Sequence, residues 1–276
     1  MTTTVKTAAD TTNFGGDRAL TGFETWLLTP VGLALSRLAI LGVFLGVWEW
    51  VSVTWSLGFF LSTPTAIGKM LWQWLWDGTL WRNASSTATA MAIGYVLGSI
   101  LGVVAGLVLG GMDKVNRVVS PFITAIYTLP KIAIAPLLII LLGIGPESKI
   151  ALAVLTVFFV IMYHTIGGVR DIDGDVVQSV RLMGASELEV AAKVLLPGAM
   201  PWIFTGLRLS VRQAFTATVL AELVGANRGL GFLIQSYAGL YNTTGVFAAV
   251  VLLTVFSVIV TEALSFLENR SRKAVK

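Results

Sequence analysis

DVVQSVRLMGASELEVAAKVLLPGAMPWIFTGLRL, residues 175–209, is the stretch that decides how this chain is organised. It is polar but lies between long apolar runs, and its own apolar residues recur at helical spacing on both sides of Gly184. Ser186 and Glu189 have the spacing of a capping box, in which each side chain satisfies a free backbone N–H of the other residue. The stretch therefore predicts a helix, a glycine turn and a second helix that starts at Ser186.

The second of these helices is predicted to be amphipathic. It would present Leu188 and Leu195 on one side, and it then meets Pro197 and Pro201, which cannot continue its hydrogen bonding. An amphipathic helical bracket in the cytosol, held between membrane spans, is expected to be a docking surface.

The composition is that of an integral membrane protein. The chain has 276 residues, of which 55% are hydrophobic and only 12% charged, and its mean hydropathy is +0.82. This leaves too little polar surface to cover a soluble globule. The fold is predicted to be all-α, a polytopic membrane protein of about six transmembrane helices, from apolar runs at about 31–55, 84–111, 118–142, 150–168, 201–224 and 246–267. Between the first two runs, Trp72, Trp74, Trp76 and Trp81 favour an amphipathic segment in the outer interface.

The basic residues predict the orientation. Of the 19 Lys and Arg residues, Lys69, Arg82, Lys149 and Arg228 fall in outer segments, Lys131 lies within a span, and the others fall in inner segments. We therefore expect both termini in the cytoplasm: a tail at 1–30, a transmembrane domain at 31–268 with its cytoplasmic loop at about 169–200, and a basic tail at 269–276.

Catalytic chemistry is not predicted. There is no cysteine, only one histidine, His164, and no glycine-rich phosphate loop. We expect no enzyme activity, no metal and no cofactor in this chain. Alternate aspartates precede the bracket but lack the glycine and distal glutamate of a calcium loop, so they are interpreted as a solvated helix start: Asp171, Asp173 and Asp175.

A glycine recurs at every fourth residue of the second span. Small residues at this spacing let helix backbones approach closely, which drives packing where lipid offers no hydrophobic drive. We expect this stripe to pack against a helix of this chain or of a second copy, the alternative being a face toward lipid. The stripe comprises Gly94, Gly98, Gly102, Gly106 and Gly110.

Lys131 lies near the middle of the third predicted span, between Pro130 and Pro136. A lysine at this depth costs about 2.5–3.5 kcal/mol on insertion scales and faces a cavity or a partner charge. The prolines predict a bent helix. Two hypotheses stand: Lys131 lines a translocation pathway, together with Glu49 and Glu222, or it forms a buried structural ion pair with one of these carboxylates.

The bracket also resembles a known motif. It is similar to the signature loop written EAA, three residues, Gly, nine residues, I-x-L-P, of permease subunits of binding-protein-dependent ABC importers. Gly184 matches the glycine, and Leu196 and Pro197 match the end of the motif. The acidic start of the motif is replaced by Gln178, Ser179 and Val180.

Two further strings resemble the nitrate, sulfonate and taurine type of these permeases: LPKIAIAPL around Lys131 and AELVGANRGLGFLI from Ala221. The resemblance implies a subunit of the bacterial inner membrane that works as a pair, two copies of this chain. Two ATPase subunits, which carry ATP and magnesium, would dock on the coupling loop, and an extracytoplasmic binding protein would deliver a small anion. The competing hypotheses are an ion-coupled secondary transporter or channel, with Lys131, Glu49 and Glu222 as its relay, and a membrane scaffold.

Overall fold

The structure is a computed structural model that describes residues 29–55 and 60–274. It divides into two compact units, Met1–Trp55 and Ser56–Lys276. Every regular element in the described part is a helix, which confirms the all-α prediction. The predicted N-terminal tail, residues 1–30, lies outside the described residues except for its last two.

The first unit contains one described helix, α1, Pro30–Thr54. The Thr29 side chain caps it by accepting a hydrogen bond from the N–H of Gly32 at 3.0 Å, and proline occupies its first position, where a missing N–H costs nothing. Its apolar side chains are largely exposed, as expected of a helix that spans lipid.

The second unit contains ten helices in its described part. They are α2, Pro64–Trp76; α3, Thr79–Gly111; α4, Asp113–Thr128; α5, Lys131–Leu142; α6, Pro146–Arg170; α7, Gly174–Leu182; α8, Glu187–Val190; α9, Leu196–Val224; α10, Leu230–Gly239; and α11, Thr243–Ala274. A π-helical segment, Ala191–Leu195, joins α8 to α9. The predicted C-terminal tail is helical as far as Ala274.

Helix α6 is the centre of this unit, because α3 and α9 both pack along it. Its inward side chains Leu152, Val157 and Ile161 are completely buried. Van der Waals contact along two long neighbours is what holds membrane helices together.

The glycine stripe of α3 lies against α6. All five glycines are buried, and a β-carbon on any of them would collide with α6; at Gly102 it would come within 2.8 Å of the Phe158 carbonyl oxygen. The two backbones are therefore closer than side chains would allow. From Gly94 to Gly110, the α6 residues that face the successive glycines are Ala153; Val154 and Val157; Phe158 and Ile161; Thr165; and Val169.

Five helices are long and apolar enough to cross a membrane, and the number is six if a bent pair of helices counts as one span. The pair is α4 and α5, whose axes differ by 90° at the break. Leu129 is extended there, with φ −60° and ψ 134°, because the residue before a proline is disfavoured in the helical region. The third span is thus two helices rather than one bent helix.

The outer tryptophans do not behave alike. Trp72, Trp76 and Trp81 are exposed, but Trp74 is buried with its ring 5.3 Å from the ring of Tyr237. Three of the four fit an interfacial belt, whereas Trp74 ties α2 to α10.

Candidate functional site

The predicted bracket, in the loop expected at about 169–200, is present as α7, a turn at Gly184, and α8 with its π segment, which together cover residues 174–195. Gly184 has φ +89°, a conformation that side chains with a β-carbon rarely adopt. The N–H of Ala185 donates to the carbonyl of Val180 at 3.4 Å, and the N–H of Gly184 to that of Arg181 at 3.0 Å. These two bonds form a Schellman motif, which ends α7 and turns the chain.

The second helix of the bracket begins with the predicted capping box. The Ser186 hydroxyl accepts from the N–H of Glu189 at 3.3 Å, and the Glu189 carboxylate accepts from the N–H of Ser186 at 3.0 Å. Lys193 donates to the same carboxylate at 2.9 Å. A second ion pair, Arg181 to Glu187 at 2.8 Å, closes α7 onto α8. The bracket is therefore held by local bonds as well as by packing.

The helix from Glu187 to Val224 has 38 residues, whereas about 20 suffice to cross a bilayer. Its first turns therefore lie outside the membrane. There the hydrogen bonds from Lys193 and from Ser186 lower the pKa of Glu189 to about 2. The capping carboxylate is ionised at any physiological pH.

The inner side of the bracket packs on the membrane core. Val190 and Leu195 are buried, and Val177 and Val180 of α7 lie against them. Val180, the third residue of the replaced acidic start, is therefore a packing residue. The other two residues of that start, Gln178 and Ser179, are exposed.

The outer side of the bracket carries an exposed apolar patch of Leu182, Met183 and Leu188, with exposed fractions of 89%, 86% and 80%. The sequence had placed Leu188 on the same side as Leu195, which is wrong. The π segment between them adds a residue to the turn and rotates the later residues by about 100°. Leucine and methionine side chains on a polar bracket mark an interaction surface.

The helix also continues through the prolines predicted to end it. Pro197 falls in the first turn of α9 and Pro201 inside it. The N–H of Leu196, just before Pro197, donates to the carbonyl of Ala191. Proline has no N–H to donate, and the wider π turn lets the helix continue past this missing hydrogen bond. The break in hydrogen bonding is real, but it produces a π turn instead of a helix end.

A buried polar cluster lies at the opposite end of the bundle, where α3 and α6 begin and α9 ends. We call it the clasp: the side chains of Asn83, Thr87, Lys149 and Glu222, with the backbone of residues 228–231. The Lys149 ammonium lies 3.1 Å from Oε1 of Glu222, and both side chains are buried. Lys149 also donates to the carbonyl of Arg228 at 3.0 Å and to the hydroxyl of Ser86 at 2.9 Å.

The clasp fastens the loop before α10. The N–H of Gly231 donates to Glu222 at 3.0 Å, that of Leu230 to Thr87 at 2.9 Å, and that of Gly229 to Asn83 at 2.9 Å. Gly229 has φ +131°, and a β-carbon there would collide with the carboxylate of Glu222. The glutamate and glycines of the AELVGANRGLG string therefore form one structural unit.

Lys131 has a different environment from the one considered for it. It begins α5 at the 90° break, half-buried, with its ammonium 4.6 Å from the centre of the Tyr127 ring and 3.4 Å from the Tyr127 carbonyl oxygen. Glu222 cannot be its buried partner, because Lys149 holds that carboxylate. Glu49 lies on α1, in the first unit. Lys131 and Glu222 therefore have separate environments within the second unit.

Sequence reasoning missed Lys149, which it assigned to an outer loop. The residue opens the apolar run of α6, and nothing local distinguishes it from a solvated lysine. The available signal was Glu222, a carboxylate next to a glycine-rich loop in an otherwise apolar region, which requires a cation.

Apolar helices around a central span, with a capped bracket at one end, define a polytopic membrane protein that presents a docking surface. Residues 98–273 match the family model described as "Binding-protein-dependent transport system inner membrane component", and the chain belongs to this family. It is a multi-pass inner-membrane permease, as the sequence predicted.

The relatives include transport permeases of two bacteria. The taurine transport system permease protein TauC of Escherichia coli K12 is 31% identical, over 89% of this chain and 90% of its own length. The putative aliphatic sulfonates transport permease protein SsuC of Bacillus subtilis 168 is 30% identical, over 78% and 77%. Among solved structures, a chain of the MetNI methionine ABC transporter is 25% identical with a TM-score of 0.56, over 74% of this chain and 97% of that one.

Proposed function

We propose that this permease is the membrane subunit of an ATP-driven importer for a small organic anion, and that its bracket docks on a separate ATPase subunit. The observation that carries the proposal is the exposed patch of Leu182, Met183 and Leu188. A capped, ion-paired bracket that presents apolar side chains away from its own core is built for a protein partner.

The working assembly would contain two copies of this chain, two ATPase subunits and one extracytoplasmic binding protein. ATP and magnesium would bind to the ATPase subunits. Closure of the ATPases on ATP would bring the two brackets together and change the direction in which the pathway opens. ATP can drive this change only by binding the closed state more tightly.

The orientation follows from the basic residues. With the bracket in the cytoplasm, both termini lie inside and the clasp end of the bundle faces the outside, where a binding protein delivers its ligand. Helix packing by the glycine stripe would keep α3 and α6 together as one rigid body during the cycle.

The substrate class is supported by the two sulfonate-related relatives and by Lys131. An ammonium at the break between two half-spans is a candidate contact for an anion on its way through the membrane. We place Lys131 in the pathway with Glu49 as a further candidate, and we assign Glu222 to the clasp.

Reconstitution tests the proposal. The permease, its cognate ATPase and its binding protein are placed in proteoliposomes, and uptake of labelled taurine and ethanesulfonate is measured with and without ATP. ATP-dependent uptake is expected, and Leu188→Glu should abolish it together with ATPase co-purification. Uptake that needs an ion gradient but no ATPase would overturn the proposal in favour of a secondary transporter.

A further inference from the structure

A cavity lies beside the clasp. It lies among the first turns of α3, the start of α6 and the loop before α10, and its volume is about 650 Å³. This volume is within the range of small-molecule sites. Its polar lining includes Arg82, Arg228, Ser86, Thr89 and Asn227.

The charges around the cavity are one-sided. Arg82 and Arg228 form no salt bridge within the described part of the chain, and no carboxylate lines the cavity. Lys149 also lines it, but its ammonium is already taken up by Glu222, Ser86 and the Arg228 carbonyl. Asp77 is close enough to Arg82 for their charges to interact, and it accepts a hydrogen bond from the N–H of Thr79 at 2.8 Å. Two guanidinium groups line the cavity and one carboxylate lies near Arg82, so the net charge around the cavity is positive.

Hydrogen-bond donors are also available there. The side chains of Thr89 and Asn227 have no hydrogen-bond partner among residues 60–274. Ser86 accepts from Lys149 and keeps its own proton to donate. Guanidinium groups and hydroxyls together recognise the oxygens of a sulfonate or carboxylate, because each oxygen accepts several bonds.

We propose that this cavity binds a small organic anion, of the alkanesulfonate or carboxylate class, at the clasp end of the permease. Arg82 and Arg228 supply the charge, and Thr89 and Asn227 supply the neutral donors. The inference rests on the proposed function for the class of substrate, and it adds a receiving site separate from Lys131. Because Lys149 bonds to Ser86 and to the Arg228 carbonyl, the clasp fixes the two walls of the site.

The absence of cysteine from the chain permits a direct test. Ser85→Cys places a single thiol in the cavity lining, and Leu240→Cys places one in the exposed turn after α10 as the matched control. Each variant is labelled in detergent at low salt with an anionic reagent, 2-sulfonatoethyl methanethiosulfonate, or a cationic one, 2-trimethylammonioethyl methanethiosulfonate. The thiolate attacks the divalent sulfur of the reagent, which forms a mixed disulfide, breaks the S–S bond of the thiosulfonate and releases methanesulfinate.

The anionic reagent is expected to be favoured at Ser85→Cys over Leu240→Cys by roughly tenfold, the local enrichment that a charged cleft produces. Adding Arg82→Gln and Arg228→Gln should remove the preference, and ethanesulfonate should protect the thiol from both reagents. Ile93→Cys, also in the cavity lining, serves if Ser85→Cys does not fold.

Equal anion preference at both cysteines would overturn the inference, and so would equal protection by the same concentration of sodium chloride. The measurement needs neither ATPase nor transport. A negative result here therefore leaves ATP-driven uptake in proteoliposomes as a separate question, and loss of that uptake leaves the labelling result standing.

Discussion

The Lys149 ammonium lies 3.1 Å from Oε1 of Glu222, across 73 residues of sequence, and both side chains are buried. Burying an ion pair is favourable only when the remaining donors and acceptors are also satisfied. They are satisfied here, because Lys149 has three acceptors and Glu222 receives further bonds from Thr87 and the N–H of Gly231. The pair is consequently a structural element that tolerates loss of both charges better than loss of one.

Lys149→Met should therefore destabilise the permease by about 3–5 kcal/mol, because it leaves a buried carboxylate without its cation. Adding Glu222→Gln should restore much of the loss, since the amide removes the stranded charge. The melting temperature of the purified protein in detergent measures both effects. A double variant that melts as low as the sum of the two single changes would show that the residues act independently.

Gly184→Val is expected to insert normally but to bind the ATPase about tenfold more weakly. A β-carbon would have open space at this position, so the cost comes from the backbone at φ +89°, about 1–2 kcal/mol for a side-chain-bearing residue. Co-purification with the ATPase and the rate of uptake are the readouts.

Two variants serve as controls for that prediction. Gly184→Asn should behave nearly as the parent protein, because asparagine tolerates the left-handed region. Gly174→Val changes another bracket glycine that also has open space but ordinary φ, and should keep docking. Normal transport by Gly184→Val would refute the docking role of the turn.

Gly102→Leu should lower the melting temperature by several degrees, because overpacking costs about 1–3 kcal/mol and α3 cannot move away from the Phe158 carbonyl without losing contact along the whole pair. The same change at Gly68 of α2, where a β-carbon meets nothing within 4 Å, is the control. Equal melting of the two variants would contradict the close packing of α3 on α6.

Lys131→Met should leave the yield of folded protein unchanged and reduce uptake by about tenfold or more, the effect of losing a contact worth about 1.4 kcal/mol. Lys131→Arg keeps the charge and should keep most of the uptake. The yield should hold because Glu222 retains Lys149 as its cation. If the yield falls and Glu49→Gln restores it, Lys131 is a structural partner of Glu49 and not a pathway residue.

The features that sequence predicted well are those written in neighbouring residues. Ser186 and Glu189 are three positions apart, so their capping box is visible in the sequence, and Gly184 lies at the turn that its own backbone freedom permits. Apolar length likewise located the five long spans and the bent pair, since the bilayer fixes how many residues a span needs.

The features that the sequence did not predict depend on contacts between residues far apart in the chain or on the hydrogen-bond pattern of the folded helix. Lys149 and Glu222 meet only after α6 and α9 have packed. Leu188 faces outward because of the π segment. In that segment the helix continues although the following proline has no N–H to donate. The periodicity of apolar residues does not predict a π segment.

The helix that starts in the bracket at Glu187 ends at Val224, next to the clasp. Its π turn and Pro201 are accommodated without a loop. At 1.5 Å per residue, Glu189 and Glu222 are separated by about 50 Å along one continuous helix. The chain thus has a built-in lever arm: a tilt imposed by a partner on the bracket reaches the carboxylate that fastens the far loop, because the helix is continuous through its π turn and Pro201.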